Sequence, residues 1–191
     1  MLDYKLGNRV DFDSTGGFET IGVGGFGIVK KITVACEEPK KEVAVKYVRE
    51  TGYRPSRRGL LFEMFDREVE LMKMFSDNPN FVKIYFDITH EQSSRNYHVA
   101  GMELAKGGSM LEATQHGHFA QLPEWLKFKF ALQIMNGIQF MHSKNLVHSD
   151  IKLSNVVFSH SFVDNLGQIE NSHVVGARII DFGLACDPTS R

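Results

Sequence analysis

The sequence predicts an α+β protein of two parts, a β-rich first half with one major helix and a helix-led second half. Three observations carry this reading. Up to about residue 104 the chain is a series of short apolar, β-branched runs separated by glycine, proline and polar turns. Within that half, residues 60–75 instead space their apolar residues three and four apart, the helical period. The same period returns over residues 123–145. The chain has 191 residues, 42% hydrophobic and 24% charged, which is the balance of a soluble globular protein and not of a disordered one. Two parts of unlike composition imply a cleft between them, the usual place for a ligand.

Each element follows in order. "FETIGVGGFGIVKKITVA" reads as two strands on either side of a glycine cluster, "EEPKK" as a turn, and "EVAVKYV" as a further strand in an antiparallel hairpin. The basic stretch "RPSRRG", residues 54–59, reads as a solvated loop, with a docking or autophosphorylation segment as the sharper alternative. "LLFEMFDREVELMKMF" is the major helix, striped by Leu61, Met64, Phe65, Glu68, Leu71, Met72 and Phe75. "FVKIYFDIT" and "NYHVAGMEL" are strands around the turn "HEQSSR". "GGSMLEATQ" is a short helix, and Pro123 opens the long one at a first-turn position. Its stripe, Leu126, Phe130, Ile134, Ile138 and Met141, is core. "VVFSHSF" and "ARIIDF" are short strands around a polar loop. No internal repeat is visible.

Composition excludes several classes of function. A net charge of -1 gives no bulk attraction to nucleic acid or an anionic membrane. Cys36 and Cys186 form no metal-ligand spacing and read as two reduced thiols. "HGH" at 116–118 reads as solvated surface, and no HExxH occurs. The first residues carry acids where a secretory signal needs basic and apolar runs, and no apolar run approaches the ~20 residues of a membrane span. The expectation is an intracellular, cytoplasmic or nuclear protein.

Four motifs carry chemistry. "GVGGFGIV" satisfies GxGxxG at Gly22, Gly24 and Gly27, but a β-branched strand follows it, not the helix of a dinucleotide-binding fold. A glycine turn between antiparallel strands can lie over a triphosphate with its N–H groups facing oxygen. "VAVK" puts Lys46 at the end of an apolar strand, where a covered ammonium needs a partner; Glu68 on the striped helix is the candidate. "HSDIKLSN" sets Asp150, Lys152 and Asn155 at offsets 0, +2 and +5, and "DFG" stands at 181–183.

In this order and spacing, these motifs resemble the eukaryotic protein kinase family, from about Ile21 to the end of the chain. The resemblance implies a bilobal protein-kinase-like fold, with a small lobe at 15–104 and part of a large lobe at 105–191. It implies an ATP- and Mg²⁺-dependent enzyme acting on Ser/Thr of protein substrates, since a lysine follows the catalytic Asp by two. Asp150 would orient the acceptor hydroxyl and take its proton, and Lys152 would stabilise the γ-phosphate. Asn155 and Asp181 would hold Mg²⁺, while Lys46, held by Glu68, would grip the α- and β-phosphates. The glycine loop, Ile21, Gly22, Val23, Gly24, Gly25, Phe26, Gly27, Ile28 and Val29, would cover the nucleotide, with Phe26 at its tip. Met102 matches the gatekeeper, and the Glu103 carbonyl and Ala105 N–H match the adenine contacts. Val29, Ala44 and Val157 would sandwich the ring. Met72, Ile84, His148 and Phe182 match the apolar column that ties the lobes together.

Departures from the pattern set further expectations. Ser149 replaces the arginine that normally meets an activation-loop phosphate, as in the non-RD kinases. Ser109 stands where many kinases place a ribose-binding acid. The interval from Asn155 to Asp181 is long, with extra residues at 164–176. The chain stops eight residues after Gly183, before an A-P-E motif, which implies an incomplete helical large lobe. The long helix's stripe would then lack neighbours, leaving a chain of marginal stability with weak ATP binding and no efficient peptide phosphorylation. A non-catalytic nucleotide-binding or regulatory fragment is the alternative reading. A small-molecule phosphotransferase of the kind that reads HGD is a further one.

Overall fold

The computed structural model describes residues 18–24, 27–34, 41–49, 55–92, 95–161 and 175–189. They fall into two compact units. The first comprises the described residues up to Met74 and Lys83–Leu104; the second comprises Phe75–Val82 and those from Ala105 onward.

The first unit is a five-stranded antiparallel sheet with one long helix. Its strands are β1 (Glu19–Gly24), β2 (Gly27–Val34), β3 (Lys41–Arg49), β4 (Ile84–Gln92) and β5 (Arg95–Glu103), in the order β1-β2-β3-β5-β4. β3 lies at the centre, and Val43, Ala44, Val45, Tyr47 and Val48 are all buried, as its near-continuous apolar run predicts. Alternation assigns the two faces. Val43, Val45 and Tyr47 join Ile32, Phe86, Tyr97 and Val99 in one cluster. Val48 and Ala100 point the other way and pack with Phe65 and Val69 of helix α1 (Pro55–Phe75). Gly101 is required here, since an added Cβ would lie 2.1 Å from the Phe86 ring.

α1 begins earlier than the period alone indicates. Pro55–Gly59, read from sequence as a basic loop, is its opening turn. The physical reason is Pro55, whose missing N–H costs nothing in a first turn. The stripe is otherwise as expected, with Phe65, Glu68, Leu71, Met72 and Phe75 buried and Val69 added.

The second unit is led by helices. α2 (Met110–Gln115) is closed by a full capping box. The Glu112 N–H donates to Ser109 Oγ at 3.2 Å, and the Ser109 N–H donates to Glu112 Oε2 at 2.7 Å. α3 (Glu124–Ser143) has Pro123 at its N-cap, one position before the expected first turn. It ends with Asn145 at φ 55, the Asn145 N–H donating to the His142 carbonyl and the Leu146 N–H to that of Met141, a Schellman closure. β6 (Val156–Phe158) and β7 (Ala177–Ile179) pair antiparallel. Met110, Leu126, Phe130, Val156, Phe158 and Val175 form the core. Val175 thus belongs to the core although it lies at the end of the 164–176 stretch; the rest of that loop's expectation lies outside the described residues.

Phe75–Val82 joins this unit for a visible reason. Phe75 and Phe81 stack at 4.9 Å and both meet Phe140 and Phe182, while the Ile179 N–H donates to the Asn80 carbonyl. By its place in the sequence this segment falls in the first part. No helix among the described residues is long and apolar enough to cross a membrane.

Candidate active site

In the first unit, Lys46 Nζ lies 2.7 Å from each carboxylate oxygen of Glu68. The side chains are 12% and 3% exposed, so this is a largely buried ion pair between β3 and α1. Val29, Ala44 and Met102 share the face of Lys46: Val29 is its partner on β2, and Ala44 pairs with Met102 on β5. Ile28 does not share it. Alternation turns Ile28 to the opposite face, where it packs against the Tyr47 and Val99 cluster. That packing is a core role the motif match could not distinguish from a nucleotide contact. Ile21 and Val23 are exposed. Gly27 has φ 135, and a Cβ there would lie 2.7 Å from the Tyr47 carbonyl oxygen, so this position admits only glycine. A Cβ on Gly22 would meet Val29 at an ordinary 3.5 Å. Gly24 and Gly27 pair across the hairpin end; Gly25 and Phe26, the expected loop tip, lie outside the described residues.

In the second unit, one carboxylate oxygen organises the catalytic-loop candidates. Asp150 Oδ2 accepts from Lys152 Nζ at 2.7 Å and from Asn155 Nδ2 at 2.9 Å. Asn155 Nδ2 also donates to the Asp150 carbonyl at 3.0 Å. Among the described residues Asp150 Oδ1 has no hydrogen-bond partner. The Lys152 ammonium, by hydrogen bond and charge, holds the Asp150 carboxyl below its usual range, and Asp150 in turn raises the lysine. Both amide hydrogen bonds use Asn155 Nδ2, which leaves its oxygen facing elsewhere. The Asn155 carbonyl accepts from the Ile180 N–H at 3.0 Å, bringing the 148–155 segment to the residue before Asp181. Asp181 itself is at φ 68.

His148 is buried against Phe182, ring centroids 5.4 Å apart. Met72 is buried and Ile84 half-buried in the first unit. Ser149, at φ 65, places its hydroxyl 3.4 Å from Cys186 Sγ, and a two-hydrogen-bond bridge joins Val147 to Cys186. Val157 is buried and bridges to Ser109. His116 and His118 are exposed, and no group of three His, Cys, Asp or Glu among the described residues could hold a metal ion. Sequence reasoning missed His98, whose ring lies on α1; the available signal was one polar residue alternating with buried Tyr97 and Val99.

Comparison with known proteins agrees with these motifs. The family model described as "Protein kinase domain" matches residues 17–191. Death-associated protein kinase 2 of Mus musculus is 30% identical over 187 residues, 97% of this chain and 45% of that protein. Serine/threonine-protein kinase SIK2 of Gallus gallus is 32% identical over 139 residues, 72% of this chain and 16% of that protein. Calcium-dependent protein kinase 5 of Plasmodium berghei is 31% identical over 124 residues, 64% of this chain and 19% of that protein. The chain thus spans at most about half the length of the curated relatives it matches. With its glycine hairpin, buried Lys46–Glu68 pair and Asp150–Lys152–Asn155 cluster, the chain belongs to the protein kinase family.

Proposed function

We propose that this protein transfers the γ-phosphoryl group of ATP to Ser or Thr hydroxyls of protein substrates. The observation that carries this reading is the division of labour at the Asp150 carboxylate. Oδ2 is occupied by Lys152 and Asn155, so Oδ1 is the oxygen that accepts the hydrogen bond of an incoming hydroxyl. Held ionised by Lys152, Asp150 orients the acceptor and takes its proton as the P–O bond forms. The Lys152 ammonium then lies beside both the base and the group being transferred.

The oxygen donors Asn155 and Asp181 fit a hard divalent cation, which needs only one or two protein ligands when phosphates supply the others. Bound there with ATP, Mg²⁺ would neutralise the phosphate oxygens. Asn155 is suited to this by its amide orientation, with nitrogen toward Asp150 and, among the described residues, no hydrogen bond on its oxygen. Lys46, held by Glu68, grips the α- and β-phosphates, and in the same unit Val29, Ala44 and Met102 contact the adenine, with Glu103 pairing through backbone. Ser149 and Cys186 place no cation at the turn after His148, so activity does not await a phosphate received there.

The test is transfer from radiolabelled ATP by the longest natural form containing this chain, followed by hydrolysis and separation of the phosphoamino acids. The expected products are phosphoserine and phosphothreonine, with label retained after phosphatase pretreatment of the enzyme. Phosphotyrosine alone, or label only on a small molecule, would overturn the acceptor class.

A further inference from the structure

Among the described residues α1 meets the sheet through two salt bridges and one imidazole–carboxylate contact, each on a different strand. Glu68 reaches Lys46 on β3, Asp66 reaches His98 on β5, and Lys73 reaches Asp87 on β4. Lys73–Asp87 is exposed on both sides, 52% and 39%, and a pair of that kind contributes little. His98 is held differently. Its Nδ1 lies 2.8 Å from Asp66 Oδ1. Its ring stacks on Phe62 at 4.3 Å and 22° and meets the edge of Phe65 at 6.2 Å and 87°. Phe62, Phe65 and Asp66 are three and four residues apart, so they lie along one stripe of the helix and enclose the imidazole.

The register ties this contact to the buried pair. His98 pairs with Val48 on β3, two residues beyond Lys46 on the same face. Asp66 and Glu68 are two apart on α1, about 200° around its axis, so they lie on different faces of one helix turn. A helix of 3.6 residues per turn moves as a rigid unit over that distance, so a rotation that frees Asp66 from His98 also swings Glu68 off Lys46.

We propose that His98 is a positioning residue: through Asp66 it holds α1 at the rotation where Glu68 meets Lys46. Its importance for catalysis rests on the phosphate-binding role proposed above for Lys46, but the clamp itself can be measured without turnover. An imidazole with hydrogen on Nδ1 donates to Asp66 whether neutral or protonated, so the clamp needs the ring and the carboxylate and no particular charge on the ring.

The experiment is competitive acetylation of amines in the nucleotide-free protein, reading Lys46 against exposed Lys83 by mass spectrometry. Asp66→Ala removes a carboxylate that is 57% exposed, so the fold survives the change. Losing one hydrogen bond of this kind should raise Lys46 labelling roughly fivefold in Asp66→Ala and in His98→Ala. His98→Asn keeps an N–H donor where Nδ1 stood and should stay within about twofold of the unmodified protein. In a Glu68→Gln background, Asp66→Ala should add less than about twofold, because both act through one contact. Wild-type labelling in Asp66→Ala, or full multiplication of the two effects in the double variant, would overturn the proposal. A parallel transfer assay on the longest natural form that contains this sequence separates the two readings: the expected labelling pattern without any transfer there would remove the proposed function and leave the clamp.

Discussion

His148 shows how one residue's neighbours dictate its state. Its Nε2 lies 3.0 Å from the Ile180 carbonyl, which only accepts, so that nitrogen carries the hydrogen. Nδ1 then accepts from the Asp150 N–H at 3.3 Å. A proton on Nδ1 would face that N–H, and burial independently holds the ring's pKa below its ordinary value. The sign follows from proton counting: an unfolded histidine titrates near ~6.5 and the folded one lower, so between the two values the unfolded chain binds more protons. This contribution is fully present above the unfolded value and is lost as pH falls through the folded one. Urea unfolding from pH 7 downward should show stability falling below about pH 6.5, with a shallower fall in His148→Gln. Equal slopes in the two proteins would assign the acid loss to other groups. From the sequence, His148 was legible as part of a motif. The double use of its nitrogens was not, because both partners are backbone groups whose positions only the fold sets. The same holds for Asp150, where spacing indicated the cluster but not that Lys152 and Asn155 share a single oxygen.

Among the elements, α3 departs most from its sequence reading. The predicted stripe is core: Leu126, Phe130 and Met141 are fully buried. The exposed apolar surface lies on the opposite face, where Trp125, Phe128, Leu132 and Met135 are 49–72% exposed. A period-3.6 count finds one stripe and stops, yet this helix is apolar on both sides, a pattern normally associated with burial all round. Such a contiguous patch favours association. Sedimentation of the 191-residue chain should therefore show concentration-dependent self-association that Phe128→Lys with Leu132→Lys reduces, while the melting temperature stays within a few degrees. A monomer at all concentrations would contradict this. Ser109 is the second case. It stands where many kinases place a ribose-binding acid, and its hydroxyl and N–H are both spent on capping α2. Ser109→Ala should cost about 1 kcal/mol in chemical denaturation; a neutral change would show that the cap is not needed for α2 to form. The start of α1 was missed because a Pro-Ser-Arg-Arg run has turn composition, and only Pro55 signalled a helix opening.

For the molecule as a whole, the sequence showed the order of strands and helices because each strand's alternation and each helix's period are local. It did not show that Phe75–Val82 belongs with the second unit, since that membership rests on Phe140, Phe182 and Ile179, all more than fifty residues away. Each unit by itself holds part of the motif set: the first has the Lys46–Glu68 pair, and the second has Asp150, Lys152 and Asn155. In the proposed function Asp150 acts on the acceptor and not on the nucleotide. The most direct measurement compares Asp150→Asn with the unmodified protein for both phosphoryl transfer and Mg-ATP affinity, using the longest natural form that contains this chain. Since the group acting in the transition state is lost while the phosphate contacts remain, transfer should fall by roughly 10²–10⁴-fold with affinity within a few-fold. Transfer near the wild-type rate, or a loss of nucleotide binding large enough to account for the lost transfer, would contradict the account.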